Sequence, residues 1–148
     1  MNVKSTRFGM LEVKEEDTLY FPEGIPGVET VQEYCLVPHA PDSPFTWLQA
    51  VSLPSLAFVL VDPFPFYPHY DLTISDADVE ALGLQGIEDV RVYVIVTFSA
   101  AGLTANLVGP IVVNTRTRCA RQLIISNGKY SCRHALGEPM PVLQQAAS

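Results

Sequence analysis

The chain has 148 residues, 48% of them hydrophobic, with a net charge of −7. That length suits one domain, and that apolar content can build a core without disulfide or metal staples. The acidic balance argues against gripping nucleic-acid phosphates, and no uncharged apolar run of about 18 residues is present to form a transmembrane helix.

The predicted elements begin as β structure. Val3 to Arg7 and Leu11 to Val13 flank a turn at Phe8-Gly9-Met10, and Glu15-Glu16-Asp17 forms an exposed acidic bend. Thr18 to Phe21 is β-branched and aromatic until Pro22 interrupts it. Phe21-Pro22-Glu23-Gly24-Ile25-Pro26-Gly27 holds two prolines and two glycines within seven residues, which predicts a rigid loop. A short helical turn is expected over Val28 to Glu33, then a strand from Tyr34 to Val37.

After the Pro-rich connection His39 to Pro44, Phe45 to Val51 reads as a strand. Leu56 to Val61 is a continuous apolar run, expected as a buried central strand. Pro63, Pro65 and Pro68 forbid regular pairing beyond it. Ser75 followed by Asp76, Ala77 and Asp78 is a helix start, and Gly83 a stop. From Val90 to Phe98, Val90, Val92, Val94, Val96 and Phe98 share one face, and Arg91, Tyr93, Ile95 and Thr97 the other. Leu103 to Asn114 holds two strand-like runs around Gly109-Pro110, where a bend or bulge is expected. Asn106 and Asn114 are expected to satisfy buried backbone groups. Gln122 to Ile125, Asn127-Gly128 and Lys129 to Cys132 give the strongest hairpin signal. The pattern predicts an all-β class, a small antiparallel β-barrel-like domain over 1–137 with Pro-rich loops and one short helix, then a flexible C-terminal tail at 138–148.

Candidate chemistry is sparse. Cys35 with His39 and Cys132 with His134 do not have zinc-knuckle spacing, so no metal and no cofactor is expected. Nucleophile-elbow and phosphate-loop motifs are absent, so no catalytic residue is assigned. The N-terminus has basic residues but no apolar core behind them, so no signal peptide is expected. Three cysteines then read as reduced thiols in a cytosol.

Two features point outward. Residues 1–100 hold fifteen of the sixteen acids and four of the nine bases, a net −11, while residues 101–148 carry +4. By itself, net charge serves solubility; paired with a basic partner it also steers encounter. Phe64, Phe66, Tyr67 and Tyr70 form an aromatic cluster on a loop held open by prolines. Such a cluster serves equally as an interface anchor or as a lid on one end of a barrel. Asp62, at the strand end before this loop, is either an Asx-type turn or part of a small-ligand or hydrolase-like site. Arg116, Arg118 and Arg121 form either a solvated turn or a small anion contact.

With these segments in hand, the chain resembles the FliW family of flagellar assembly factors from about Thr6 to His134. The resemblance is carried by Thr6-Arg7-Phe8-Gly9, by Phe21-Pro22-Glu23-Gly24-Ile25-Pro26-Gly27, by Trp47-Leu48-Gln49 and by Leu56-Ala57-Phe58. It continues through Val61-Asp62-Pro63-Phe64, Thr104-Ala105-Asn106-Leu107, Gly109 to Thr115, and Tyr130 to His134. It implies a cytoplasmic bacterial protein without catalysis that binds flagellin and CsrA, a small basic dimer repressing flagellin mRNA translation. Flagellin would displace CsrA when it accumulates. Direct nucleic-acid binding and membrane association are not expected, and the free protein is expected to be a monomer. The expected partner-binding residues are Glu15, Glu16, Asp17, Phe64, Phe66, Tyr67, Tyr70, Asp71 and Asp76. The expected structural motif residues are Phe21, Pro22, Gly24, Pro26, Gly27, Trp47, Asn106, Gly109, Pro110 and Asn114.

Overall fold

The computed structural model describes residues 1–100, 102–126 and 128–136, so the expected tail lies outside the described residues. Strands β1 (Asn2–Ser5) and β2 (Gly9–Glu12) form a hairpin of their own, with Ser5 opposite Gly9. The main sheet holds β3 (Thr18–Tyr20), β4 (Glu33–Pro38), β5 (Phe45–Ala50), β6 (Ala57–Val61), β7 (Val90–Ser99), β8 (Gly102–Ala105), β9 (Ile111–Asn114), β10 (Ala120–Gln122) and β11 (His134–Ala135). Its order is β10-β9-β7-β6-β5-β4-β3, every ladder is antiparallel, and β11 pairs with β8, which pairs with β7.

The all-β class is the one the sequence predicts, but the sheet is not a closed barrel. Its two ends meet at one parallel bridge, Tyr20↔Cys119, where the Tyr20 amide donates to the Arg118 carbonyl at 3.0 Å. Arg118 sits there at φ 67, a conformation unfavourable for a residue with a Cβ.

Burial follows the alternation of the strands. Tyr93 joins Leu19, Phe21, Tyr34, Leu48, Leu60 and Ile111 in the cluster enclosed by the curled sheet. Val94 and Val96, on the other face of β7, pack with Tyr70, Ala105 and Leu107 under the 62–72 loop. Val92 on that same face packs with Leu82, Val112 and Leu123. The sheet is therefore covered on both sides, which explains the near-continuous apolar runs of β6 and β7. Among the described residues, no helix is long and apolar enough to cross a membrane.

Among the described residues the one α-helix, α1 (Asp76–Leu82), starts where the sequence predicts. Ser75 caps it by accepting from the Asp78 amide at 3.2 Å, and Gly83 ends it at φ 64. Two sequence expectations differ from the structure. Residues 28–33 form no helix, because the Val28 amide bonds the Ile25 carbonyl and the Val31 amide the Val28 carbonyl, giving two successive turns. The 122–132 hairpin is also absent: the Leu123 and Ile125 amides donate to the Pro110 and Val108 carbonyls at 2.8 Å each. Asn127 itself lies outside the described residues.

Candidate functional site

The expected partner-binding residues divide into three environments. Glu15, Glu16 and Asp17 form a single exposed 3₁₀ turn ahead of β3, with no buried residue among them. Within the turn, the ion pair from Lys14 to Glu16 is 3.9 Å long between exposed side chains, too weak to neutralise it. This turn supplies negative charge free to meet solvent or a partner. Asp17 also acts inward: burial first, then its charge, push the Cys35 thiol pKa up.

The aromatic loop is less available than its sequence suggests. Tyr70 is 6% exposed, and its hydroxyl donates to the Leu107 carbonyl. Its ring packs edge-on against Tyr130 at 4.9 Å. Burial, then the neighbouring Tyr130, push its pKa up. Tyr70 therefore fastens the loop to the core. The Tyr67 hydroxyl donates to the Ala135 carbonyl and its ring meets His134, so it joins the loop to β11. Phe66 is half-buried against the same cluster. Phe64 is the exception, 40% exposed beside Tyr70. Asp71 is held by Lys129 at 2.8 Å, an interaction that raises the lysine pKa. Asp76 is exposed in the first turn of α1, one helical turn before Val79.

Between the 62–74 loop, the turn at Ile87 and the start of β7 runs an apolar groove of about 310 Å³, lined by Phe64, Leu72, Ile74, Ile87, Val90 and Val92, together with Asp62, Tyr70 and Arg91. It continues into a second depression through Ile74, Ile87 and Val90 to Val79 and Leu84. Ile87 is 88% exposed, the largest fraction among the exposed large apolar side chains. Arg91 also lines a depression shared with Glu16, so the acidic turn and the groove lie on connected surface. The sequence reading did not single out Ile87 or Ile74. A usable signal existed: Pro63 stops β6, while the apolar pattern of β7 starts at Val90, ahead of its first β6 partner at Val94.

Asp62 accepts from the Phe64 amide at 3.0 Å, which is the Asx-turn arrangement. The groove around it is apolar, and convergent polar groups of the kind that fix a small ligand are not gathered there. The small-ligand or hydrolase-like alternative is not favoured. Among the described residues, no three His, Cys, Asp or Glu side chains come together as a metal cage. Two of the three arginines, Arg116 and Arg121, are engaged with protein groups. Arg116 reaches Asp89 at 3.6 Å and the Gly83 carbonyl at 2.9 Å, and Arg121 bridges Glu23 and Asp78 at 3.2 and 3.3 Å.

The model of the family described as FliW protein matches residues 2–136. The chain belongs to the FliW family. A flagellar assembly factor FliW from Moorella thermoacetica is 42% identical, over 92% of this chain and 88% of that protein. One from Geobacillus kaustophilus is 38% identical, over 92% of this chain and 95% of that protein. The crystal structure of a flagellar assembly factor FliW superposes with a TM-score of 0.85 at 36% identity, covering 93% of this chain and 98% of that one. FliW proteins are flagellar assembly factors and not a known enzyme family.

The FliW-like motifs sit at structural joints. Phe21 is fully buried edge-on to Tyr34, and Gly24 and Gly27 take φ of 67 and 95 in the loop that follows. In that loop Pro22 accepts from the Gln32 side chain at 2.9 Å. Pro26 belongs to the turn between Ile25 and Val28. Trp47 carries the Arg7 guanidinium over its ring at 4.6 Å, meets Phe8 edge-on, and donates to His39 at 3.2 Å. It thereby docks the β1–β2 hairpin. Asn106 accepts from the Gly109 amide at 3.0 Å, fixing the Gly109-Pro110 bend.

Proposed function

We propose that this FliW-family protein is a non-enzymatic, cytoplasmic flagellar assembly factor that binds CsrA, weakens its hold on mRNA, and also binds flagellin. The two partners exchange on it, so that free flagellin frees CsrA to repress flagellin synthesis. The free protein acts as a monomer. The observation that carries the reading is the uneven charge: net −11 over residues 1–100, with Glu15, Glu16 and Asp17 projecting from one exposed turn. Such a surface attracts a basic dimer and repels the RNA phosphates that compete for it. Glu15, Glu16, Asp17, Asp71 and Asp76 supply the repulsive field, and Phe64, with the ordered aromatic loop of Phe66, Tyr67 and Tyr70 behind it, supplies apolar contact. Calorimetric titration of the purified protein with CsrA, with and without flagellin, tests the reading. A complex with CsrA that flagellin dissolves is the expected result. Absence of any complex with either protein overturns it.

A further inference from the structure

On the side facing β6, the start of β7 has a backbone edge that no strand among the described residues covers. The Thr115 amide donates to the Asp89 carbonyl at 2.8 Å, which sets the phase of the β7–β9 ladder. In an antiparallel pair, hydrogen-bonded residues alternate with residues whose N–H and C=O point the other way. Arg91 and Tyr93 therefore bond to β9, while Val90 and Val92 turn their backbone groups to the opposite side. On that side β6 pairs with β7 only as far as Val61↔Val94. Two residues on, the position facing Val92 is Pro63, which has no N–H to give. The Pro63 carbonyl is already taken by the Phe66 and Tyr67 amides at 3.1 and 2.8 Å. The Val90 amide closes a 3₁₀ turn onto the Ile87 carbonyl. Among the described residues, the Val92 N–H and C=O and the Val90 C=O have no strand partner; Val90, half-buried, and Val92, 7% exposed, both line the groove.

We propose that this edge accepts an extended segment of a protein partner as an added strand, apolar at alternate positions and basic at one end. The inference rests on the protein-binding function proposed above and says where and how one partner docks. Strand addition uses main-chain bonds for affinity and side-chain pockets at alternate positions for selectivity. The groove offers both: free groups on Val92, and apolar walls at Phe64, Ile74 and Ile87. A helix would cover the walls but has no free backbone groups to give Val92. Charge fixes the end of the segment. Asp62 lies at the groove and Glu88 is exposed next to Ile87, whereas Arg91, the one cation lining the groove among the described residues, lies against the Tyr93 ring at 5.7 Å. A lysine or arginine in the partner meets carboxylates there.

The test is residue-resolved amide exchange on the full chain, alone and saturated with CsrA or with flagellin, alongside affinities for Ile87→Asp and Phe98→Asp. Both side chains are largely exposed, at 88% and 65%, so neither change threatens the core. Phe98 lies at the far end of β7, about 27 Å along the strand from Val90, and serves as the control. With one of the two partners, Val92 exchange is expected to slow by about tenfold or more. Ile87→Asp is expected to weaken the same partner by about tenfold, with Phe98→Asp binding like the parent chain. If both partners bind while Val92 exchanges at its free rate, strand addition is wrong and the proposed function stands. Weakening by Ile87→Asp without Val92 protection means the groove is covered by something other than a strand and also overturns the inference. If neither partner binds the parent chain, the proposed function falls and takes this inference with it.

Discussion

The side-chain amide of Asn114, on β9, donates to the Leu82 carbonyl at 2.8 Å and so ties the last turn of α1 to the sheet. Its Oδ1 accepts from the Arg116 and Thr117 amides at 3.0 and 3.3 Å, and the residue is fully buried. Asn114→Ala leaves a helix-terminal carbonyl and two turn amides without these partners. A loss of about 2–3 kcal/mol is expected, since an unmade buried bond costs more than a made one returns. Urea denaturation measures it; a midpoint equal to the parent's would contradict the role assigned to this side chain.

Two glycines at similar φ should respond very differently to alanine. A Cβ on Gly24 would stand 2.5 Å from the Glu29 Cα and carbonyl oxygen, whereas one on Gly9 meets nothing within 4 Å. Gly9→Ala therefore costs only the left-handed conformation, about 1 kcal/mol. Gly24→Ala adds a collision with backbone and should cost more than about 3 kcal/mol or abolish folding. Thermal melts of the pair decide it, and equal shifts would show that the 21–27 loop yields.

Tyr34 is fully buried edge-on to Phe21, and its hydroxyl has no hydrogen-bond partner among the described residues. Burial pushes its pKa up to about 12 from the ordinary 10.0. Between those values the unfolded chain loses this proton and the folded chain keeps it, so stability falls as pH rises from 10 toward 12. Tyr34→Phe removes this loss and the unpartnered hydroxyl together. It should be as stable as the parent or more stable by about 1 kcal/mol at neutral pH, with a shallower alkaline decline. Denaturant midpoints across that pH range test both parts, and an unchanged alkaline slope would count against the assignment.

Beyond the weak pair to Lys14 and the charge that Asp17 sets near the buried Cys35, the side chains of Glu15, Glu16 and Asp17 make no ion pair or hydrogen bond among the described residues. Replacing all three with lysine should leave the melting curve nearly unchanged while slowing CsrA association by about tenfold at low salt. The difference should shrink as salt screens the field. Stopped-flow rates at two ionic strengths provide the check, and a parent-like rate at low salt would remove this turn from the interface.

Arg121 is shared between Glu23 and Asp78, joining the 21–27 loop to α1. The partners are partly or largely exposed, so Arg121→Met should cost less than about 1 kcal/mol, and less still in high salt. Chemical denaturation at two salt concentrations separates this from a structural role, which would cost several times more.

The elements that could be read from sequence are those whose signals are local. Ser75, the acids behind it and Gly83 define α1 by themselves, and the alternation over Val90 to Phe98 places one face of β7 against the loop and the other inside the sheet. The Asn127-Gly128 signal misled because its flanks have distant partners. Residues 123 and 125 bond to Pro110 and Val108, and Tyr130 is held by the Tyr70 ring and by the Asp71 amide donating to its hydroxyl. Within the candidate site, the acidic turn was legible from three adjacent carboxylates. The groove was not, because its walls come from the 62–74 loop, the 3₁₀ turn at Ile87 and β7, joined only by the register of the sheet. From sequence Tyr70 reads equally as an interface anchor or as a lid, and the hydroxyl bond to Leu107, a contact far along the chain, is what holds it inside.

The single bridge between Tyr20 and Cys119 gives the curled sheet a seam. Elsewhere around the curve, neighbouring strands hold one another through at least three paired positions; here one amide and one carbonyl do so. The net worth of such a bond is only about 1 kcal/mol. Parting the sheet at this line breaks no ladder, and it exposes Leu19 on one lip and Ala120 on the other, both members of the enclosed cluster. The curled sheet thus behaves as a cuff with one backbone fastening, beside the partly exposed Arg121–Glu23 ion pair, expected to gape there first on warming, with the Tyr20 amide exchanging well before the interior strands loosen.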